Sequence, residues 1–354
     1  MGSKPIGISA SRGASILGLS DYRTPVSAWL QLMEERHPGF CAAHGYVAPQ
    51  RQDSAPLRWG SAFEDAVLVE ASRAMGCSKT KTPAKIFDRE GFYCAWFDGN
   101  PVTETSLIDS DSAVITCHID GRYSDKILHE GKTTSDMAYR YKWGTPGTDR
   151  IPSDYQVQTQ HQMACTGASE CIVSVLVFPD TQDALELLGW RVVKLDTDMP
   201  ETAIRMLTPA HRKKWASVLA ELGFFHQYVI PSRRDIQSEM LDRYRGFWND
   251  HVLKDVPPPV QGYGDIQSLF PSPIGTLVAP MEITSWVNEY QDIGKEIGSS
   301  GNLAKRKEQL KVLILDWARR QPGYALDDDS QEKVVIMDAT GKRLATYNGK
   351  MFRA

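Results

Sequence analysis

Apolar positions recur along this chain with two periods, and the changes of period mark its elements. Small polar residues, Gly7-Ile8-Ser9-Ala10-Ser11, lead into an apolar-periodic helix within residues 6–18, and a second helix is predicted around Val26 to Met33. Residues 36–57 are rich in Pro, Gly, Gln and Ser and are predicted as a long loop. Ser61 to Met75 reads as a helix with Phe63, Ala66, Val67, Val69, Ala71 and Ala74 on its apolar face. From 86 to 132 the pattern turns to strands, with the run Ala113 to Cys117 leading to Asp120-Gly121 and a return strand over Lys126 to Lys132.

Residues 153–166 read as a helix in which Ser153 and Gln156 have the spacing of a capping box, each able to satisfy an amide donor the helix start leaves free; Gly167 stops it. Two unbroken apolar runs, Ile172 to Phe178 and Trp190 to Leu195, are predicted as strands buried on both faces. A helix from about Glu201 to Leu222 closes this unit. Beyond it come a polar helix near 236–250, a linker at Val256-Pro257-Pro258-Pro259, and two helices over 281–298 and 302–320. A terminal hairpin pairs Val334 to Met337 with Arg343 to Tyr347 across a turn at Ala339-Thr340-Gly341. The predicted class is α/β: a central mixed β-sheet flanked by helices over residues 1–228, then an accessory region of helices and a β-hairpin over 229–354.

Composition narrows the picture only a little. At 354 residues, 42% hydrophobic and 24% charged, the chain reads as an ordinary soluble protein, with no apolar run long enough to span a membrane and no signal-like N-terminus, so a cytoplasmic location is expected. Six scattered cysteines contain no C-x-x-C pair, which points away from a zinc or iron–sulfur centre. The net charge of −4 argues against a protein that holds nucleic acid by bulk charge, but not against an enzyme with local positive charge and metal-binding acids.

The return strand carries the chemistry. Side chains alternate along a strand, so Leu128, Glu130 and Lys132 share one face, and the turn containing Gly121 can bring Asp120, ten residues before Glu130, back beside it. Two converging carboxylates make a hard oxygen site suited to magnesium, with manganese as a substitute. A phosphodiester needs such a site, because the cation neutralises the scissile phosphate and activates water; Lys132 is placed to hold the water or the growing charge. Taken alone the motif reads more readily as a surface ion pair between Glu130 and Lys132.

The surrounding segments decide between those readings. In order they are Gly7 to Ser11 running on to Ile16-Leu17-Gly18-Leu19-Ser20-Asp21-Tyr22-Arg23-Thr24-Pro25; Leu57-Arg58-Trp59-Gly60-Ser61-Ala62-Phe63-Glu64; Asp120-Gly121 with Glu130-Gly131-Lys132; and Tyr155-Gln156-Val157-Gln158-Thr159-Gln160-His161-Gln162-Met163. Together, over roughly residues 4 to 225, they resemble the lambda exonuclease and YqaJ-type viral recombinase family, of the PD-(D/E)XK nuclease superfamily. The sequence departs from the pattern where His118-Ile119 precede Asp120 and Thr133-Thr134 follow Lys132, without loss of a chemically needed group.

The resemblance implies roles. Glu64, Asp120, Glu130 and the Gly131 carbonyl would be metal ligands, and Asp120, Glu130, Lys132 and Gln158 the catalytic set. His161 is read as structural. Arg140, Lys142 and Arg150, in the loop expected after the catalytic strand, are candidate backbone contacts, and Trp143 either stacks on a base or simply packs. The basic cluster His211 to Lys214 is read as a solvated helix face. Lys4, Ser9 and Ser11, ahead of a helix start, are candidates to bind a 5′-phosphate, although either serine also suits a helix cap. The implied activity is metal-dependent degradation of linear double-stranded DNA from 5′ ends, leaving 3′ single strands for an annealing protein, by a homo-oligomer, specifically a trimer. The rivals are an endonuclease or repair nuclease on the same core, and a catalytically silent DNA-binding protein.

Overall fold

The computed structural model describes residues 6–49, 55–76, 84–89, 92–97, 100–102, 114–179, 208–270, 275–296, 301–321 and 333–354. In chain order the elements are β1 (Ile8–Ser9), α1 (Ala10–Ile16), α2 (Pro25–Arg36), α3 (Phe40–Ala43), α4 (Ala55–Ala74), β2 (Ala84–Arg89), β3 (Phe92–Phe97), β4 (Asn100–Val102), β5 (Val114–Ile119), β6 (Gly121–Ser124), β7 (Ile127–Ser135), α5 (Asp136–Lys142), α6 (Ser153–Thr166) and β8 (Glu170–Phe178). There follow α7 (Pro209–Glu221), β9 (Phe225–Pro231), α8 (Arg234–Phe247) running into a short π-helix (Trp248–Val252), α9 (Tyr263–Leu269), β10 (Gly275–Val278), α10 (Met281–Glu296), α11 (Gly301–Arg319), β11 (Val334–Met337), β12 (Arg343–Tyr347) and β13 (Phe352–Arg353).

The class is α/β, as the periodicity predicted. The expected strand Trp190 to Leu195 and the start of the helix expected from Glu201 lie outside the described residues. Two compact units form: Met1–Asp21 with Arg51–Gly246, and Tyr22–Gln50 with Phe247–Ala354. This differs from the boundary expected at 228/229. The strand β9 crosses that point, paired antiparallel with β8 from Glu170↔Pro231 to Leu176↔Phe225, so the sheet holds it in the first unit. The second unit instead recruits an early segment through long-range hydrogen bonds: Trp29 Nε1 donates to the His251 carbonyl at 2.9 Å, and Val47 N to the Ser268 carbonyl at 2.8 Å. No local pattern in the sequence reports pairings across more than two hundred residues.

In the first unit the single central sheet predicted is two sheets that meet at Asp120. One has the order β1-β5-β2-β3-β4 and the other β6-β7-β8-β9, with β7 and β8 parallel and the flanking pairs antiparallel. The apolar run of β8 is buried from Cys171 to Val177; its one polar member, Ser174, accepts a hydrogen bond from Gln227 Nε2 at 3.1 Å. Helices α4 and α7 cover this strand through Phe63, Ala66, Val67, Trp215 and Leu219 against Leu176. The helix α4 begins at Ala55, inside the loop expected over 36–57, which also contains α3. Proline is tolerated in a first helical turn, where its missing amide is no loss, so Pro56 did not mark a break. Val69 is exposed and Glu70 takes a buried position, held by Arg73 Nε at 2.8 Å.

The second unit packs α9, α10 and α11 against a sheet of order β10-β11-β12-β13, around Phe270, Val287, Ile314, Leu315, Ile336 and Tyr347. The hairpin has its predicted strands, and Gly341, at φ +84°, takes the left-handed turn position. The parallel edge strand β10 and the terminal β13 join it, so the unit carries a four-stranded sheet instead of a lone hairpin. Both additions are too short to show a period. Among the described residues no helix is long and apolar enough to cross a membrane.

Candidate active site

Three elements converge on one buried polar cluster. The turn between β6 and β7 falls at Asp125-Lys126, not at Gly121 as predicted, and the antiparallel register Gly121↔His129 carries Asp120 back towards Glu130. Gly131 N donates to Asp120 Oδ2 at 2.7 Å. On the neighbouring strand face, Lys132 Nζ lies 2.5 Å from Glu130 Oε1 and 3.1 Å from Gln158 Oε1 of α6, while Gln158 Nε2 donates to the same Glu130 oxygen. Asp120 and Glu130 are 7% and 3% exposed, so this is not the solvated surface pair that the motif alone allowed.

The helix α6 supplies two groups that the sequence reading left out of the site. Gln162 Nε2 donates to Glu130 Oε2 and to the His118 carbonyl, both at 2.7 Å, tying the strand before Asp120 to the strand of Glu130. The ring of Tyr155 sits 4.7 Å from Lys132 Nζ, a cation–π contact. Tyr155, Gln158 and Gln162 are spaced three and four apart, one helical stripe; that spacing was available in the sequence, but it does not say which side of the helix meets the sheet.

Burial pushes the Asp120 carboxyl up to about 7, helped by the negative charge of Glu130 and opposed by Lys132 and the Gly131 amide. For Lys132 burial disfavours the charge, but Glu130, Tyr155 and Asp120 outweigh it and hold the ammonium above its ordinary value. A hard divalent cation beside Asp120 would offset the negative charge that Glu130 sets against its ionisation, and the two carboxylates offer it oxygen ligands. Glu64 adds a further negative influence on Asp120. It lies on α4 between Gly60 and Val67, both of which face β7: a Cβ on Gly60 would stand 3.6 Å from Thr133 Oγ1, and one on Gly131 would stand 3.1 Å from Val67 Cγ1. Among the described residues no three of His, Cys, Asp and Glu stand close enough to hold a metal by themselves, so the fit rests on Asp120, Glu130 and the Gly131 carbonyl, with Glu64 adjacent.

The remaining candidates divide. Ser9 and Ser11 place their hydroxyls 3.2 Å apart, and Ser9, at the start of α1, makes no side-chain cap. Lys4 lies outside the described residues. Arg140 and Lys142 are on the helix α5, where a loop was expected; Arg140 pairs with Asp136, and Lys142 Nζ reaches Asp21 at 2.9 Å. Trp143 packs half-buried, 5.1 Å from the Tyr228 ring and 5.6 Å from Tyr155. The helix has its predicted bounds, but the capping box is not formed: Pro152 takes the cap position, so Ser153 is the first helical residue, its Oγ donating to the Leu19 carbonyl at 3.0 Å and Gln156 to that of Asp149.

His161 is fully buried, 3.4 Å from the Tyr244 hydroxyl, and burial pushes its imidazole down to about 4. The unfolded chain, titrating near 6.5, takes up this proton first as pH falls. Stability is therefore full above that value and declines towards pH 4, by about 2 kcal/mol at the middle of the window. Urea midpoints at neutral pH and pH 5 should differ less in His161→Gln than in the parent; an equal difference would remove His161 from the acid response.

Comparison with known families bears on the segment that holds these residues. Positions 2–169 match the model of the YqaJ-like viral recombinase domain. Glu64, Asp120, Glu130, Lys132, Gln158 and Gln162 all lie inside the matched segment, as does the early stretch of the second unit, whereas β8, β9 and residues 247–354 lie beyond it. Among solved structures, an alkaline exonuclease from Laribacter hongkongensis is 14% identical with a TM-score of 0.38, over 70% of this chain and 89% of that one. A phage related exonuclease from Haemophilus somnus is 13% identical with a TM-score of 0.38, over 71% and 97%. Likeness this low says nothing about activity. No curated protein matches the chain.

Proposed function

We propose that this chain is a divalent-metal-dependent exonuclease acting on the ends of linear double-stranded DNA, with Asp120, Glu130, Lys132 and Gln158 as its catalytic set. The observation that carries the reading is the buried junction at which Lys132 bridges Glu130 and Gln158 while Asp120 faces the Gly131 amide. A purely binding module gains nothing from buried carboxylates beside phosphates. Asp120, Glu130 and the Gly131 carbonyl would hold magnesium or manganese, with Glu64 completing the set, and the bound cation supplies charge neutralisation and water activation. Gln158 and Lys132 orient the attacking water and stabilise the charge growing on the phosphate.

The test is end-labelled linear duplex with and without magnesium, alongside a closed circle. Metal-dependent shortening from 5′ ends with the circle intact is expected; nicking of the circle would favour an endonuclease, and no cleavage of either would leave the silent DNA-binding reading. In the fuller reading the 3′ strands pass to an annealing protein and the active form is a trimer, a closed ring in keeping with the point symmetry of oligomers; monomers alone in sedimentation at working concentration would remove the ring. Lys4, Ser9 and Ser11 would read the 5′-phosphate, a dianion with more acceptor oxygens than a diester. Phosphorylated ends should be degraded faster than 5′-hydroxyl ends, and Ser11→Ala should narrow the gap.

Gln162→Leu should slow cleavage by about tenfold to a hundredfold, the value of a hydrogen bond to a charged group, chiefly in kcat since Gln162 touches carboxylate and not substrate. An unchanged kcat would show that Glu130 keeps its place without it.

A further inference from the structure

The residues placed in the active site above all belong to the first unit; in the second unit the cations are distributed unevenly. On and beside its helices several are matched by acids: Lys254 with Asp250, Lys295 with Asp292, Arg306 with Glu289, Lys311 with Glu308, and Arg319 and Arg320 with Asp316, while Lys307 stands over the Tyr290 ring and Lys305 makes no ion pair among the described residues. The terminal sheet differs. Lys333, Lys342, Arg343, Lys350 and Arg353 are all exposed, and none lies within ion-pair distance of a carboxylate among the described residues. Between Lys333 and Ala354 the only acid is Asp338, whose Oδ1 accepts from Thr340 N and Lys342 N at 2.9 Å each, and from the Thr340 hydroxyl. Among the described residues Arg353 has a thioether partner, Met351 Sδ, at 2.9 Å from Nε.

Strand pairing holds these charges on one small frame. Arg343 stands opposite Met337, whose other neighbour is Val278, and Arg353 stands opposite Thr346, whose other neighbour is Val335. These partners are exposed or half-buried, while Val334, Ile336, Ala345, Tyr347 and Phe352 point into the core. The outer sheet face therefore carries two arginines among uncharged side chains, Val278, Val335, Met337 and Thr346. Lys342 flanks it in one turn and Lys350 in the other, with Lys333 just ahead of β11. In a chain of net charge −4 this is a local reversal of sign.

We propose that this outer face of the terminal sheet is a second DNA-binding surface, which holds duplex phosphates without reading sequence. Five cations without a close ion pair, of which only Lys342 feels the nearby Asp338, suit a polyanion of regular charge spacing, and the absence of an exposed aromatic ring on the face argues for backbone contact instead of base stacking. The inference rests on the nuclease reading only in naming DNA as the polyanion.

The experiment measures binding of the full chain to a short fluorescent duplex in chelator, across a salt series. Removing four charges in Lys342→Gln/Arg343→Gln/Lys350→Gln/Arg353→Gln should weaken binding by about tenfold or more and flatten the log K against log salt slope by roughly 2 to 4. The control removes four paired cations (Lys254→Gln/Lys295→Gln/Arg306→Gln/Arg320→Gln), with the same change in net charge, and should keep more of both affinity and slope. Equal effects of the two variants, or none from the first, would overturn the surface. If the fourfold variant does not fold, Lys342→Gln/Lys350→Gln, both in exposed turns, should flatten the slope by about 1 to 2, and an unchanged slope overturns it equally. Magnesium-dependent cleavage by the parent is scored separately: a parent that binds through this face but never cleaves refutes the nuclease reading and leaves the surface standing.

Discussion

Lys132→Ala is expected to slow DNA cleavage at least about a hundredfold while the protein stays folded, because a group that acts on charge developing in the transition state is lost without stranding its neighbours. Glu130 would still accept from Gln158 on one oxygen and from Gln162, at 2.7 Å, on the other. The reverse deletion is different. Glu130→Ala removes the carboxylate 2.5 Å from a Lys132 side chain that is 16% exposed, leaving an ammonium poorly solvated and unpaired. That variant should lose activity and also on the order of 3 kcal/mol of stability, discounted from the upper range for a fully buried pair because some water reaches the lysine. Asp120→Ala should match Lys132→Ala in activity, with less effect on melting because it relieves repulsion with Glu130. Cleavage rates and melting curves for the three variants separate chemistry from folding, and near-normal cleavage by Lys132→Ala at neutral pH would end the assignment.

Gly13→Ala is expected to destabilise the first unit by about 2 kcal/mol or more, and Gly13→Leu to prevent its folding. A Cβ at Gly13 would stand 2.0 Å from the Tyr244 hydroxyl oxygen and 3.0 Å from Val157 Cγ1. Tyr244 is 1% exposed and packed against His161, so its ring has no free space to swing into. The glycine thus lets α1 approach α6, the helix that carries Tyr155, Gln158 and Gln162. A second change identifies the cause: Tyr244→Phe removes the oxygen that the methyl would strike, so the double variant should regain part of the loss. Additive melting shifts in the pair would mean that Val157, not Tyr244, sets the limit.

The local reading of the sequence succeeded where a period or a fixed alternation was enough. The strand containing Glu130 and Lys132, the unbroken strand β8, the α6 helix with its Gly167 stop and the terminal hairpin were legible because each reflects neighbours within a few residues. The pairing of Glu130 and Lys132 on one face follows from strand alternation alone, and the presence of Gln158 and Gln162 on one stripe from the helical period. Tertiary structure decided what those faces meet. It moved the reversal of the chain to Asp125-Lys126, turned α6 so that Gln162 joins Glu130 to the His118 carbonyl, and packed Trp143 against Tyr155 and Tyr228. It also tied Arg140 to Asp136 and placed residues 22–50 in the second unit. Each of these outcomes depends on contacts between segments far apart in the chain, whose free energy comes from burial and hydrogen bonding in three dimensions and leaves no periodic trace along one.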